Sequence, residues 1–218
     1  MSRKIQEYEG RDVTVRYEVK RCIHAAECVR GLPQVFDPDR KPWVVPDAAA
    51  ADQLAAVIMR CPTGALQFER QDGGPPEAVP AENTVGVAAD GPLYVKGEIE
   101  IVDDGGSIIL RDTRIALCRC GASQNKPFCD GRHAEASFRD TGALAESGPR
   151  PDEYEAGGKL TVNPAPNGPF LLQGSVEIRS ADGSASFYGS KAALCRCGAS
   201  NKKPFCDGSH KEIGFVSE

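Results

Sequence analysis

The sequence has no long apolar run and no excess of basic residues, and both absences restrict the functions open to it. No stretch approaches the roughly 18 consecutive apolar residues that suggest a membrane span. The formal net charge is -5 at pH 7, so a basic surface for nucleic acid is also missing. We therefore expect a chain that binds neither membranes nor nucleic acid and that has proteins or small molecules as partners.

The start of the chain, MSRKIQEYEG, lacks the apolar core of a signal peptide. The nine cysteines are an odd number and fall into three separated triplets, which argues against a secreted disulfide framework. We expect the thiols to stay reduced in a cytoplasmic protein. Only 40% of the residues are apolar, and the 23 Gly and 16 Pro favour several small modules over one large core.

An internal repeat dominates the second half of the chain. The segment from Gly91 to Phe138 aligns without a gap with the segment from Gly168 to Phe215. Each copy begins with alternating apolar residues, continues through a turn rich in Asp and Gly, and resumes an extended run into its first Cys. This pattern predicts a β-hairpin that leads into a metal-binding loop in each copy.

The repeat also divides the chain into predicted modules. The first module contains the strand-like DVTVRYEV and the helix-like DAAAADQLAAVIMR, which we predict to begin at the cap Asp47 and to end before Cys61. Two intervening segments are rich in Gly, Pro and small residues, which predicts linkers. The predicted boundaries are 1–73 for the N-terminal module, 74–90 for a linker, 91–140 for the first repeat, 141–167 for a second linker and 168–218 for the second repeat. The fold class is therefore predicted as α+β, with a small α+β module followed by two β-rich modules.

Each repeat carries three cysteines and one histidine at uneven spacing, in CRCGASQNKPFCDGRH (118–133) and CRCGASNKKPFCDGSH (195–210). In an extended segment Cys118 and Cys120 point to the same side and can bind one metal ion together. Cys129 and His133 are one helical turn apart and can hold a second metal ion. Two irons bridged by two sulfides would fill the space between these pairs.

A structural zinc site is the alternative, because zinc accepts three Cys and one His. Zinc sites commonly use Cys pairs two to four residues apart, whereas this motif has a C-x-C pair followed by a longer gap. The repetition of the whole set argues against unligated buried cysteines. Spacing alone thus leaves an iron-sulfur cluster and zinc both open.

The two motifs, which end in CDGRH and CDGSH, resemble the signature of the CDGSH iron-sulfur domain family. The resemblance implies a [2Fe-2S] cluster in each motif, with the two early Cys on an inner iron and the late Cys and His on an outer iron. The implied ligands are Cys118, Cys120, Cys129 and His133 in the first copy and Cys195, Cys197, Cys206 and His210 in the second. Arg132 departs from the small residue usual in the family, and we expect it to affect the potential or partner access rather than cluster binding.

The same resemblance has an architectural implication. Family members with a single motif pair as homodimers, so two copies in one chain are expected to pack against each other as an intramolecular pseudo-dimer. The protein would then be a monomer with an internal pseudo-twofold axis.

The remaining cysteine triplet lies in the first module, at Cys22, Cys28 and Cys61. A ferredoxin loop places Cys at three-residue intervals and adds a distant Cys before Pro, but here Ala25 occupies the middle position. The pattern resembles the divergent single-cluster ferredoxin domain attached to some CDGSH proteins. Three ligands suit [3Fe-4S], whereas [4Fe-4S] requires a fourth donor, for which His24 is the local candidate. Zinc, free thiols and a non-ligating His24 are the other interpretations.

These features predict proton-coupled transfer of single electrons between redox proteins. The alternative is a protein that delivers a cluster to an apo iron-sulfur protein or senses redox state or pH. An enzyme is not expected, because nearly every Cys and His is assigned to ligation and no Ser/His/Asp set remains. We expect Trp43, Phe128 and Phe205 to shield the metal sites by packing.

Overall fold

The computed structural model describes residues 4–217, which fall into two compact units divided between Ala78 and Val79. The elements in chain order are β1 (Ile5–Tyr8), β2 (Val13–Glu18), α1 (Glu27–Gly31), α2 (Ala51–Ile58), β3 (Leu66–Arg70), β4 (Thr84–Val87), β5 (Leu93–Val102), β6 (Ile108–Leu117), β7 (Lys159–Pro164), β8 (Phe170–Arg179), β9 (Ser186–Leu194) and α3 (Ser209–Glu212). This mixture of strands with a few short helices agrees with the α+β prediction. None of the helices formed by the described residues combines the length and apolar character that a bilayer span requires.

The first unit is built on an antiparallel sheet in the order β1-β2-β3. Strand β2 forms where DVTVRYEV predicts it, because Val13 and Val15 alternate with polar residues and point into the core. Helix α2 covers this core with Leu54 and Ile58. The sheet and the helix carry the two cysteine segments of this unit at their ends.

Helix α2 begins later than the sequence suggests. It starts at Ala51 with no side-chain cap, because Ala49 is extended and separates the helix from a 3-10 turn at Pro46–Ala48. Asp47 lies in that turn and accepts a hydrogen bond from the backbone N–H of Arg11 at 2.9 Å. The predicted Asp cap is therefore wrong, whereas the predicted end before Cys61 is confirmed.

The second unit contains both predicted hairpins. Strands β5 and β6 pair antiparallel, and β8 pairs with β9 in the same way. In the first turn the Asp103 carboxylate accepts the backbone N–H groups of Gly105 and Ser107, and Asp182 accepts that of Ser184 in the second. Short Asp side chains close these turns because they bond to backbone two residues ahead.

The segments predicted as linkers contribute strands to this unit, which corrects the sequence interpretation. Strand β4 lies within 74–90 and strand β7 within 141–167. Each pairs antiparallel with the strand that follows it and parallel with a strand of the other repeat, β4 with β8 and β7 with β5. These pairings are equivalent in the two repeats: Thr84 lies opposite Glu177, and its aligned counterpart Thr161 lies opposite Glu100.

Two glycines allow this exchange of strand partners. Gly97 and Gly174 have φ of +147° and +120° and lie where the hairpin registers shift. A Cβ at Gly174 would lie 2.2 Å from the backbone oxygen of Lys159, and one at Gly97 would lie 2.0 Å from Asn83 Oδ1. The bulges therefore depend on glycine, because a side chain at either position would collide with the crossing segment.

Candidate metal centres

The two early cysteines of each motif lie side by side. Their sulfurs are 3.6 Å apart for Cys118 and Cys120 and 3.7 Å apart for Cys195 and Cys197. Cys118 immediately follows β6, and its N–H donates to the carbonyl of Pro127 at 3.0 Å. The hairpin thus delivers one cysteine pair into each loop, as the sequence spacing predicts.

The late cysteine and the histidine form a second pair. Cys129 Sγ lies 3.3 Å from His133 Nδ1, and Cys206 Sγ lies 3.4 Å from His210 Nδ1. The backbone N–H of Cys129 donates to the carbonyl of Ala116 at 2.9 Å, which ties this pair to strand β6. The predicted helical turn is a short helix, α3, in the second copy and a non-helical turn in the first.

An aspartate holds each of these turns against the preceding loop. The Asp130 carboxylate accepts the N–H groups of Arg132 and Gln124, and Asp207 accepts those of Ser209 and Asn201. The Arg132 side chain turns toward the same carboxylate, with Nε 3.4 Å from Asp130 Oδ2. Arg132 is therefore engaged by its neighbour in the motif.

The donors of each repeat are arranged as two pairs. Within residues 4–217, no three His, Cys, Asp or Glu side chains converge closely enough to hold one metal ion. A tetrahedral zinc site requires four donors around a single centre, whereas a cluster of two irons requires one donor pair on each iron. The arrangement fits the binuclear group better than a single ion.

The surroundings of the cysteines act on their charge in opposite directions, because the pairing that lowers the pKa of Cys118 raises that of Cys120. The Cys120 thiol lowers the pKa of Cys118 to about 6 through a side-chain hydrogen bond, and the backbone N–H groups of Ser123 and Gly121 also bond to Cys118. Burial raises the pKa of Cys129 to about 11, against a hydrogen bond from the N–H of Gly131. These donors can stabilise thiolates once a metal replaces the thiol protons.

Burial lowers the pKa of His133. The imidazole is therefore neutral at pH 7, and the neutral form is the one that can bind a metal.

Backbone contacts between the loops bring the early cysteine pairs of the two repeats together. A Cβ on Gly121 would lie 2.9 Å from the carbonyl oxygen of Cys197, and one on Gly198 would lie 2.9 Å from that of Cys120. Both glycines have a positive φ, +79° and +82°, so glycine is required for conformation and for space. These contacts join aligned positions of the two repeats, as the strand pairings do.

A buried arginine lies between the early cysteines of each motif, but the two arginines have different partners. Arg119, 2% exposed, donates to Asp140 at 2.6 Å, to the carbonyls of Gly91 and Ala88, and stacks on Phe138.

In the second repeat, Arg196 is 5% exposed, donates to the carbonyl of Ala165 and stacks on Phe170 and Phe215. The position aligned with Asp140 is Ser217. Burial lowers the pKa of Arg196, in line with a guanidinium that contacts a carbonyl and two rings.

The three cysteines of the first unit line one cavity, together with Tyr17, Trp43 and Thr63. Cys61 Sγ lies 3.6 Å from Thr63 Oγ1, and the carbonyl of Thr63 accepts a hydrogen bond from the buried Arg21 at 2.5 Å. Because Arg21 precedes Cys22, this bond links the two cysteine segments. In a cubane cluster each thiolate binds a different iron, so the three thiols supply the donors of such a group, although the cavity that they line measures only about 30 Å³.

His24 lies beside the cysteines rather than among all three. It lines a neighbouring groove with Cys22 and Cys28, whereas Cys61 faces the cavity described above. The backbone of His24 has φ of +56°, an uncommon conformation for a non-glycine residue. This placement is consistent with a histidine near the site and does not single it out as a fourth donor.

Aromatic side chains enclose this site more than the sequence analysis predicts. Trp43 lines the cavity as predicted, and its ring lies 4.9 Å from that of Tyr17 in an edge-on arrangement. Burial and a hydrogen bond with Cys22 raise the pKa of Tyr17. Tyr17 was not predicted, although its alternation with Val13 and Val15 in β2 places it on the inward face.

The other two predicted shields have a different position. Phe205 belongs to the hydrophobic core of the second unit and packs edge-on against Phe187 at 5.2 Å. Phe128 is partly buried against the same core. The backbone of Phe205 forms a β-bridge with Leu194, and that of Phe128 forms one with Leu117. Both phenylalanines therefore attach the metal loops to the strand ends that precede them.

Comparison with known proteins agrees with this division into sites. A family profile described as "Iron-binding zinc finger CDGSH type" matches residues 90–134 and 167–211, and one described as "Divergent 4Fe-4S mono-cluster" matches residues 8–71. Curated relatives include the "Uncharacterized protein YjdI" of Escherichia coli strain K12 and that of strain O157:H7. Each is 36% identical over 64 residues, which cover 29% of this chain and 84% of the relative. No solved structure matches the chain significantly. The chain therefore carries two tandem domains of the CDGSH iron-binding type, preceded by a divergent 4Fe-4S mono-cluster domain.

Proposed function

We propose that the chain is an electron-transfer protein with three iron-sulfur centres and no catalytic activity. The observation that carries this proposal is the division of donors in each repeat into a sulfur–sulfur pair and a sulfur–nitrogen pair. A [2Fe-2S] cluster bound by these pairs would exchange one electron at a time. Cys118, Cys120, Cys129 and His133 hold the first such group, and Cys195, Cys197, Cys206 and His210 hold the second.

The two repeats act as an intramolecular pseudo-dimer in this proposal. Equivalent strand pairings and the paired contacts of Gly121 and Gly198 support a pseudo-twofold relation. The early cysteine pairs then lie next to each other near the axis. A monomer is sufficient for function, and its partners are redox proteins that bind at the histidine ends of the motifs.

Replacing a ligand histidine by cysteine tests the assignment. His133→Cys and His210→Cys should each keep two irons and two sulfides per motif, and the potential of the altered centre should fall by on the order of 100 mV because a thiolate adds negative charge. Protein-film voltammetry and an iron and acid-labile sulfide assay measure both quantities, with His24→Cys as the control that leaves these two centres unchanged. About one zinc per motif and no labile sulfide would contradict the proposal.

Proton coupling is the finer part of the proposed function. In His133 the Nδ1 atom faces Cys129, so Nε2 remains available to exchange a proton with solvent. Reduction adds negative charge beside the ring and should raise its pKa. We therefore expect the potential to fall with rising pH by up to ~59 mV per unit, and a potential that stays constant from pH 6 to 9 would remove proton coupling from the proposal.

For the first unit we propose a [3Fe-4S] cluster held by Cys22, Cys28 and Cys61. The three thiols that face one cavity support this count, whereas the description of the matching family favours [4Fe-4S]. Oxidised protein should give a near-isotropic EPR signal at g of about 2.01, which Cys61→Ser should abolish while the spectra of the other centres remain. An EPR-silent oxidised module with four irons would establish the alternative, and His24→Ala would then test the fourth ligand.

Delivery of a cluster to another protein is the second candidate function. The observation that favours it is the uneven burial of the donors, because Cys118 and Cys195 are buried whereas His133 and His210 are partly exposed. Two mixtures of the reduced protein, one with an apo-ferredoxin and one with a holo-ferredoxin, separate the two functions. If iron and sulfide move to the acceptor, the chain is a carrier; if only electrons reach a holo acceptor, it is an electron-transfer protein.

A further inference from the structure

Two hydroxyl groups lie beside the cysteines of the first unit, and the proposed function gives neither of them a role. They belong to Tyr17 in β2 and to Thr63, which follows Cys61 by two residues. Tyr17 lines the cavity of the three cysteines and also the groove beside it, and Cys22 borders both spaces as well. The tyrosine therefore stays next to Cys22 whichever of the two spaces the metal group fills.

A short turn brings Tyr17 and Cys22 together. Strand β2 ends at Glu18, and the 3-10 turn Val19–Arg21 follows it. The N–H of Cys22 donates back to the carbonyl of Val19 at 3.2 Å. The turn thus returns the chain toward Tyr17, and the Cys22 sulfur accepts a hydrogen bond from the Tyr17 hydroxyl.

Neighbouring side chains hold the Tyr17 ring in this position. The Trp43 ring packs edge-on against it with centroids 4.9 Å apart, and the Trp43 centroid lies 5.9 Å from that of the buried Phe36. Leu66 lies opposite Tyr17 in the ladder between β2 and β3. Because a tyrosine hydroxyl is protonated at neutral pH, Tyr17 presents the sulfur with a donor whose direction is fixed by packing.

Thr63 has a comparable position beside Cys61. Its Oγ1 atom lies 3.6 Å from Cys61 Sγ and accepts the backbone N–H of Ala65 at 3.2 Å. Because Oγ1 already accepts from Ala65, its own proton can point at the sulfur. A metal-bound thiolate has no proton, so the hydroxyl is the donor of this pair. Thr63 is only 3% exposed, so little solvent reaches the bond.

Hydrogen bonds to the sulfurs are among the features that set the potential of an iron-sulfur cluster. A donor beside a thiolate stabilises the reduced form more than the oxidised form, because reduction increases the negative charge on the sulfur. The third sulfur, that of Cys28, has a backbone donor, the N–H of Val29. The side-chain donors of this site are therefore the ones that a substitution can remove.

We propose that two hydroxyl groups raise the potential of the first-unit centre by donating hydrogen bonds to its thiolates. Tyr17 acts on Cys22, and Thr63 acts on Cys61 in the same way. The inference rests on the proposed function in that these cysteines hold an iron-sulfur cluster, and it applies to [3Fe-4S] and [4Fe-4S] alike. Each hydroxyl acts on a different thiolate, so the two contributions should add.

Removing each hydroxyl from the full-length holoprotein tests the proposal. Tyr17→Phe and Thr63→Val should each lower the equilibrium constant for reduction of this centre about fivefold, which is ~40 mV for one electron because tenfold is ~59 mV. The double variant should lower it about 25-fold. An EPR-monitored redox titration measures the potential from the signal that Cys61→Ser abolishes. The centres of the two repeats should keep their potentials.

Two conservative variants serve as controls. Tyr8 packs on the same Trp43 ring with centroids 6.3 Å apart, but its hydroxyl donates to Gln6 Oε1 at 2.8 Å. Tyr8→Phe should therefore change the equilibrium constant less than about 1.5-fold, because no bond to sulfur is lost. Thr63→Ser retains the hydroxyl and should keep the wild-type potential, which a role of the threonine methyl group alone would not predict.

A further variant changes the strength of the bond and leaves the core packing in place. Site-specific replacement of Tyr17 by 3-fluorotyrosine makes the hydroxyl more acidic and therefore a stronger donor. The potential should rise, opposite to the effect of Tyr17→Phe. An unchanged potential in either Tyr17→Phe or Thr63→Val, or a lower potential with 3-fluorotyrosine, would overturn the proposal. If Tyr17→Phe loses iron, the direction of the 3-fluorotyrosine shift decides the outcome.

Iron, zinc and acid-labile sulfide are measured on the same samples, so this inference and the proposed function can fail separately. A first unit that keeps its iron and sulfide and shows the same potential in every variant would overturn the hydroxyl bonds and leave the proposed electron transfer standing. Zinc without labile sulfide in the first unit would overturn both.

Discussion

Replacing Gly174 with Ala is expected to lower the free energy of unfolding of the second unit by about 4 kcal/mol. Two costs act together at this position. Its φ of +120° is unfavourable for any residue with a side chain, and the new Cβ would lie 2.2 Å from the carbonyl oxygen of Lys159. Because that oxygen belongs to backbone at the start of β7, the strand must move away from β8. Urea unfolding followed by far-UV circular dichroism measures the loss.

Gly183→Ala is the matched control for Gly174→Ala. Gly183 also has a positive φ, +71°, but nothing lies within 4 Å of an added Cβ, so only the conformational cost of about 1 kcal/mol applies. Equal losses in the two variants would show that the contact with Lys159 has no effect on stability. The difference between the two losses of unfolding free energy measures the cost of the contact between the new Cβ and Lys159.

The second large effect is expected at the buried ion pair of the first repeat. Asp140→Asn should destabilise the second unit by about 3 kcal/mol, because it leaves the Arg119 guanidinium buried without its carboxylate. The loss should persist in 1 M salt, since buried pairs are poorly screened. Chemical denaturation at low and high salt measures it.

The second repeat supplies the control for this pair. Ser217→Asp places a carboxylate at the position aligned with Asp140 and should stabilise the unit by about 1 kcal/mol through Arg196. Asp90→Asn removes a charge that lies 3.9 Å from the exposed Arg139 and keeps an amide oxygen to accept the N–H of Asp140, so its effect should stay below about 0.5 kcal/mol. A destabilising Ser217→Asp would contradict the view that Arg196 can use a carboxylate partner.

The local parts of the fold were predictable because their signals are local. Alternating side chains identify both hairpins, and the Asp-Gly segments that begin at Asp104 and Asp182 identify the turns. In the first turn it is the preceding Asp103 whose carboxylate accepts the backbone N–H groups. Strands β4 and β7 were missed because TVGV and KLTVNP are short and lie among Gly and Pro residues. Each of them also pairs with a strand of the other repeat, and no single-sequence pattern reports a pairing at that distance.

The metal sites likewise combine features that the sequence predicts with features that only the structure shows. The C-x-C and C-x-x-x-H spacings fix which side chains share a face, so the donor pairs follow from the sequence. The unequal partners of Arg119 and Arg196 become visible only when the aligned Asp140 and Ser217 are placed beside them. Tyr17 was within reach of the alternation in β2, but nothing in its spacing connects it with Cys22.

The exchange of strands between the repeats also determines when the protein can fold during synthesis. Strand β4 leaves the ribosome long before β8, and its parallel pairing at Thr84 awaits Glu177. At about 5–20 residues per second, the first repeat therefore spends several seconds with an unpaired strand edge. Such edges recruit other chains, so we expect aggregation of nascent chains to depend on translation speed between the two repeats.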